Sequence, residues 1–148
     1  MSKKLKVRTI TVAKKEAWAE FSRYIRMRDC LKTTGTKDMG ICVCCPESKP
    51  IPFKKLQAGH FIPGRHNGNL FSEKYVNAQS WKCNAPASMG GKNGNALDYR
   101  LAMIKMHGEN AEQEAREEAK QAVQFKVWQY DLIRDKYQQK IQELGGLL

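Results

Sequence analysis

Cys42-Val43-Cys44-Cys45, Gln57-Ala58-Gly59-His60-Phe61 and Asn77-Ala78-Gln79-Ser80-Trp81-Lys82-Cys83-Asn84 are the blocks whose reading decides the fold. Cys42 and Cys45, two residues apart, have the spacing at which two thiolates reach one tetrahedral ion from a tight turn. Cys83 adds a third thiol from a distant turn, but Ser80 stands three positions before it. A serine hydroxyl is neutral at pH 7 and hard, a poor partner for zinc. Cys44, Cys30, His66 or water are the candidates for a fourth ligand. Five cysteines, three of them within four residues, make a poor disulfide framework and suit a structural zinc site.

The same stretch holds groups suited to phosphate chemistry. His60 closes a predicted strand, and an imidazole with an ordinary pKa of about 6.5 can take a proton from water. Asn84 follows Cys83 at the expected start of a helix, where its amide oxygen could ligate a hard cation such as Mg2+. His66 and Asn77 are the other polar candidates. Lys54, Lys55, Arg65 and Lys82 lie close by in sequence and can grip phosphates without reading bases.

Outward from this core, the chain reads as helical on both sides. Ala13, Ala17, Trp18, Phe21, Tyr24 and Ile25 recur at spacings of three and four, predicting a helix over 11–30 with Thr11 as its cap. Trp18, Phe21 and Ile25 form its buried stripe, and Arg23 and Arg26 lie on a basic face that can meet DNA. Ile51-Pro52-Phe53 and residues 56–62 read as short strands around a turn. Residues 96–106 read as a helix stopped by Gly108. A stripe from Ala111 through Tyr130 and Tyr137 to Leu144 predicts one long helix over 110–144, which packs on its own domain or serves a homodimer. The expected architecture is one α+β domain over 1–148, with a core at 41–106 between an N-terminal and a long C-terminal helix.

Composition narrows the class. At 148 residues, 41% hydrophobic and 28% charged, the chain is neither disordered nor membrane-embedded. Without an apolar run long enough to span a bilayer or a signal-peptide pattern, it is expected to be cytoplasmic. Net charge is +11, unevenly spread: +7 over residues 1–32, +6 over 33–108 and −2 over 109–148. The positive field covers the Cys/His/Asn stretch and favours a polyanion. Lys3, Lys4, Lys6 and Arg8 form a basic N-terminal arm.

Together these features resemble the HNH, or ββα-metal, nucleases on a treble-clef zinc frame, and more closely the NinG (Rap) family of phage recombination proteins. The resemblance spans about residues 21–108 and rests on Tyr24-Ile25-Arg26-Met27-Arg28-Asp29, the three blocks above, Gly94-Asn95, Tyr99-Arg100 and Gly108. It implies a structure-specific DNA endonuclease acting on branched recombination intermediates such as Holliday junctions and D-loops. It implies that His60 fills the catalytic histidine's position, that Asn84 sits at a metal-binding position, and that Asn77 orients the histidine. Ser80 departs from the family's zinc-binding cysteine, and Gly59 from the acidic residue that often precedes the histidine. Residues 85–93 look like an insertion.

The expectation is therefore metal-assisted phosphodiester hydrolysis on Zn2+ held by Cys42, Cys45 and Cys83. A catalytic Mg2+ or Mn2+ is expected among His60, Asn84, His66 and Asn95, with His60 as base or ligand. A non-catalytic zinc module that binds branched or single-stranded DNA is the main alternative, and a protein-binding adaptor using the C-terminal helix is a third.

Overall fold

The computed structural model describes residues 7–64 and 66–145. Arg65, the terminal lysines at 3, 4 and 6, and Gly146 lie outside the described residues. Chain order is α1 (Ile10–Thr34), β1 (Met39–Gly40), β2 (Ile51–Pro52), β3 (Leu56–His60), β4 (Val76–Ser80), α2 (Trp81–Asn84), α3 (Ala96–His107), α4 (Ala111–Ala119) and α5 (Val127–Glu143). The class is mixed α+β, as expected, with five α-helices and two small antiparallel sheets among the described residues.

α1 runs past both predicted ends. Thr9, not Thr11, is the cap, its hydroxyl accepting from Val12 N–H at 3.2 Å. At the other end Thr33 and Thr34 hydrogen-bond back to the Asp29 and Cys30 carbonyls, and Gly35 closes the helix at φ 77°. The apolar stripe Ala13, Ala17, Phe21 and Ile25 is fully buried. It packs on α5 through Tyr130 and Tyr137, and Phe21 meets the Tyr137 ring edge-on at 4.9 Å.

The two central strands pair with each other, Gln57 opposite Gln79 and Gly59 opposite Asn77. One face of the hairpin packs Ala58 and Val76 against α1. Asp29 pins the two together: its carboxylate accepts from Ala78 N–H at 2.7 Å and from Arg28 at 2.8 Å. The predicted strand at 51–53 is shorter than expected. It pairs with β1, while Phe53–Lys55 forms a 3-10 turn into β3.

The single helix expected over 110–144 is two helices. Ala111, Ala115 and Ala119 of α4 bury against Phe61, Tyr75 and Tyr99, whereas Tyr130, Tyr137 and Ile141 of α5 bury toward α1 and the loop before β4. The break has a tertiary cause. A β-carbon at Gly68 would lie 2.5 Å from the Glu118 carbonyl and 2.8 Å from that of Gln121, so only glycine permits this approach to the end of α4. Asn67 donates to the Val123 carbonyl at 3.1 Å, satisfying backbone that a continued helix would have used. The stripe is thus spent inside the chain. No described helix is long and apolar enough to cross a membrane.

Candidate functional site

The hairpin, the loop before it and α2 gather three thiols. Sγ atoms of Cys42, Cys45 and Cys83 lie within 4.8 Å of one another, Cys45 and Cys83 at 3.5 Å. All five cysteines are free. Edges of this length match a tetrahedron with zinc–sulfur bonds of about 2.3 Å and are far too long for a disulfide. The knuckle is held to the sheet by Val43 N–H on the Ala78 carbonyl at 2.9 Å. Asn95 donates to Cys83 Sγ at 3.5 Å. A hydrogen bond from Cys44, with smaller help from Ser80, holds the Cys42 thiol below its ordinary pKa, against the opposing effect of burial. Burial raises the Cys45 thiol, and the neighbouring Cys42 thiol together with burial raises Cys44, so both favour the protonated form in the absence of an ion. A bound cation would remove those protons. The donor set fits a zinc ion held by Cys42, Cys45 and Cys83.

Ser80 has a second use that explains a hydroxyl there: its oxygen caps α2, accepting from Cys83 N–H at 3.3 Å. Residues 85–95 fold back on that helix, with Lys92, Asn93 and Gly94 N–H groups on the carbonyls of Lys82, Ala85 and Cys83. The expected insertion is a tight loop that seals the thiol cluster.

His60 lies on the α1 side of the hairpin. Its ring stacks on Trp18 with centroids 5.2 Å apart at 15°, and its Nε2 is 3.2 Å from the Leu70 carbonyl. A carbonyl only accepts, so Nε2 carries the proton and Nδ1 the lone pair. Burial holds the His60 pKa below its ordinary value, opposed by the Leu70 and Asn69 carbonyls. His60 is therefore neutral and basic at pH 7.

Asn84 lies on the other side of the same strand. Its Nδ2 donates to Gln57 at 2.7 Å, and its Oδ1 is 3.0 Å from where a β-carbon on Gly59 would stand. His60 and Asn84 thus flank β3 back to back, joined by the Gly59–His60 backbone, and do not share one ion. His66 is elsewhere, folded over Gly64 and facing α3 and α4 beside Leu97, Arg100 and Arg116. The expected His60–Asn84–His66 ligand set is not assembled, because neighbours on a strand face opposite ways and the turn at 61–69 carries His66 off. Asn95 is engaged with Cys83 and Asp98. Of the four expected ligands, Asn84 is the one that keeps a side-chain oxygen beside the Gly59 backbone. It fits a hard cation shared with a phosphate, not one held by protein alone.

Asn77 also departs from expectation. It is buried and never meets His60; it accepts from Arg28 at 3.2 Å and donates to Tyr99 Oη at 3.2 Å. Tyr99 in turn donates to the Gly59 carbonyl at 2.7 Å. Asn77 therefore positions the backbone before His60 rather than touching a reacting group.

A groove of about 430 Å³ wraps the unpaired edge of β3, lined by Trp18, Ser22, Arg26, Gln57 and Asn84. Arg26 caps the Phe53 ring at 4.4 Å, and beyond that ring a second groove is lined by Arg23, Lys37 and Lys54. Lys55 and Lys82 are exposed nearby. Of the expected basic residues, Arg26 lines the first groove and Lys54 the second.

The family model described as Bacteriophage Lambda NinG protein matches residues 1–146. The chain belongs to the NinG family. This is a phage family associated with recombination. No curated protein and no solved structure matches the chain. Within this NinG chain, Gln79, Trp18 and Tyr99 are the site residues that pattern reasoning passed over. Gln79 was visible in principle, since strand alternation places it on the same inner face as Asn77.

Proposed function

We propose that the protein is a structure-specific DNA endonuclease of the HNH, or ββα-metal, type on a treble-clef frame, acting on branched recombination intermediates. The observation that carries this reading is the order β3–β4–α2. His60 ends the first strand, Asn84 follows the last thiol in the helix, and Asn84 lines a groove with Arg26 along the unpaired edge of that strand.

His60 accepts the proton of the attacking water at Nδ1, while the Leu70 carbonyl keeps Nε2–H in place. Trp18 fixes the ring plane. Arg26, Lys54, Lys55 and Lys82 hold phosphates on either side of the scissile bond and give affinity for branch shape without base readout. Asn84 lines the groove, with its Oδ1 beside Gly59. A divalent cation shared by Asn84 and the phosphate would stabilise the developing charge.

One observation favours the second reading, a zinc-supported DNA-binding module without catalysis. The position before His60 lacks a carboxylate, and Gln79 fills the space one would need. Incubating the purified protein with a four-way junction in Mg2+ or Mn2+ separates the two. Nicking supports the endonuclease, and retarded but intact DNA under every divalent cation supports the binding module.

A further inference from the structure

Three thiols leave a closed tetrahedral site one ligand short. Of the candidates, Cys30 is sealed between α1 and the other face of the hairpin, packed with Leu56 and Ala78, and Gly40 approaches it closely. His66 belongs to the α3–α4 groove. Ser80 is engaged as the cap of α2, accepting from Cys83 N–H, and a neutral hydroxyl is a poor zinc ligand.

Cys44 differs from all three. It is 5% exposed and packs in the same buried cluster as Cys42 and Cys83. Gln79 Nε2 donates to its Sγ at 3.2 Å and to the Gly94 carbonyl at 2.9 Å. That orientation leaves Gln79 Oε1 buried with no hydrogen-bond partner. Leaving a buried carbonyl oxygen bare costs about 1–3 kcal/mol, so the amide has turned its donor end toward sulfur at a penalty. Two thiols then each receive an amide donor: Gln79 on Cys44 and Asn95 on Cys83. Thiolates bound to a cation only accept, and donors from outside are what hold them in place.

We infer that Cys44 is the fourth ligand of the zinc site, completing a Cys42–Cys44–Cys45–Cys83 tetrathiolate in which Gln79 is the positioning donor. Cys44 is not among the three thiols that lie within 4.8 Å of one another, so ligation requires its Sγ to move in toward them. The inference rests on the reading of the trio as a zinc site. It also accounts for the tolerated loss of a thiol at position 80, since the missing ligand comes from within the knuckle.

The test is sulfur counting on the intact protein loaded with Zn2+ alone, followed by Co2+ exchange. X-ray absorption on the wild type should give four sulfurs at about 2.3 Å. In Cys44→Ser the thiolate-to-cobalt charge-transfer intensity should fall by about a quarter, as expected for three remaining thiolates. Zinc affinity should fall by more than the roughly 10–100-fold that loss of an outer hydrogen-bond partner costs. Adding Ser80→Cys to that variant should restore both. Three sulfurs and one lighter atom in the wild type, or an unchanged spectrum in Cys44→Ser, would overturn the assignment while leaving the zinc site standing. Failure of the wild type to take up zinc or cobalt would overturn the site and the assignment together.

Discussion

Gln79 Oε1 occupies the position that a β-carbon on Gly59 would take. Gln79 is fully buried and tied to Cys44 and Gly94, so it has little freedom to withdraw. Gly59→Ala should therefore lower unfolding free energy by about 1–3 kcal/mol in urea titrations, the range for overpacking a tight site. Coupling should be large: in a Gln79→Ala background the same change should cost clearly less. Gly59→Asp, which restores an acidic residue before the histidine, should fail to raise nicking activity because the carboxylate has nowhere to go.

Zinc removal should loosen the centre of the molecule. The knuckle and α2 are joined through Cys42, Cys45 and Cys83, and the loop at 85–95 hangs on that cluster. Metal analysis should find about one zinc per chain. A strong chelator, or Cys83→Ser, should lower the thermal midpoint and expose the thiols to Ellman's reagent. An unchanged midpoint in excess chelator would show that the thiols pack without an ion.

His60 sets a pH dependence whose sign follows from burial. Its pKa is depressed in the fold, so between the folded value and the ordinary one of about 6.5 the unfolded chain binds more protons. The stability contributed is present above about pH 6.5 and lost as pH falls through the folded value. His107 shifts the same way, lowered first by burial and then by Lys74 and Lys32. Denaturation midpoints of wild type and His60→Gln should thus converge as pH falls from 7.5 toward 5. Parallel curves would mean that the imidazole titrates alike in both states.

Tyr99→Phe isolates the positioning chain. The hydroxyl is buried, donates to the Gly59 carbonyl and accepts from Asn77. Its loss should cost about 1–3 kcal/mol in stability, because a buried carbonyl and an amide lose their partner. Junction affinity should stay near wild type while the nicking rate drops. Equal loss of binding and rate would place Tyr99 in the interface instead.

Much of the scaffold was legible from spacing, and the exceptions have physical causes. α1 announced itself through Ala13, Ala17, Phe21 and Ile25, but its ends depended on side-chain bonds from Thr9 and Thr33 that periodicity does not encode. The break at 120–126 carries no glycine or proline. It is imposed by Gly68 and Asn67, distant in sequence. β4 carries Asn77, Gln79 and Ser80, polar residues that give no strand signal; Asn77 and Gln79 find partners on Tyr99, Arg28 and Cys44, and Ser80 caps α2. The thiol trio followed from spacing alone, since a tetrahedral ion fixes ligand intervals. His60 and Asn84 were both singled out by motif, yet they lie on opposite sides of β3. Their back-to-back arrangement needed the register Gly59 opposite Asn77, which sequence alone does not supply.

The basic rim gives a salt-dependence prediction. Lys54 and Lys55 are exposed next to the groove that Arg26 lines. Replacing both with Ala should weaken junction binding about equally for different sequences. The slope of log affinity against log salt should shrink by about 0.9 for each phosphate that is no longer neutralised. An unchanged slope would move the interface elsewhere.

The most direct measurement is single-turnover nicking of a four-way junction, at saturating protein and in Mg2+ or Mn2+, by wild type and His60→Ala side by side. Cleavage by the wild type, with a loss of at least about 100-fold in the variant at unchanged junction affinity, is the expected result. Equal nicking by both proteins, or none by the wild type, would contradict the assignment of His60 as the base of a nuclease.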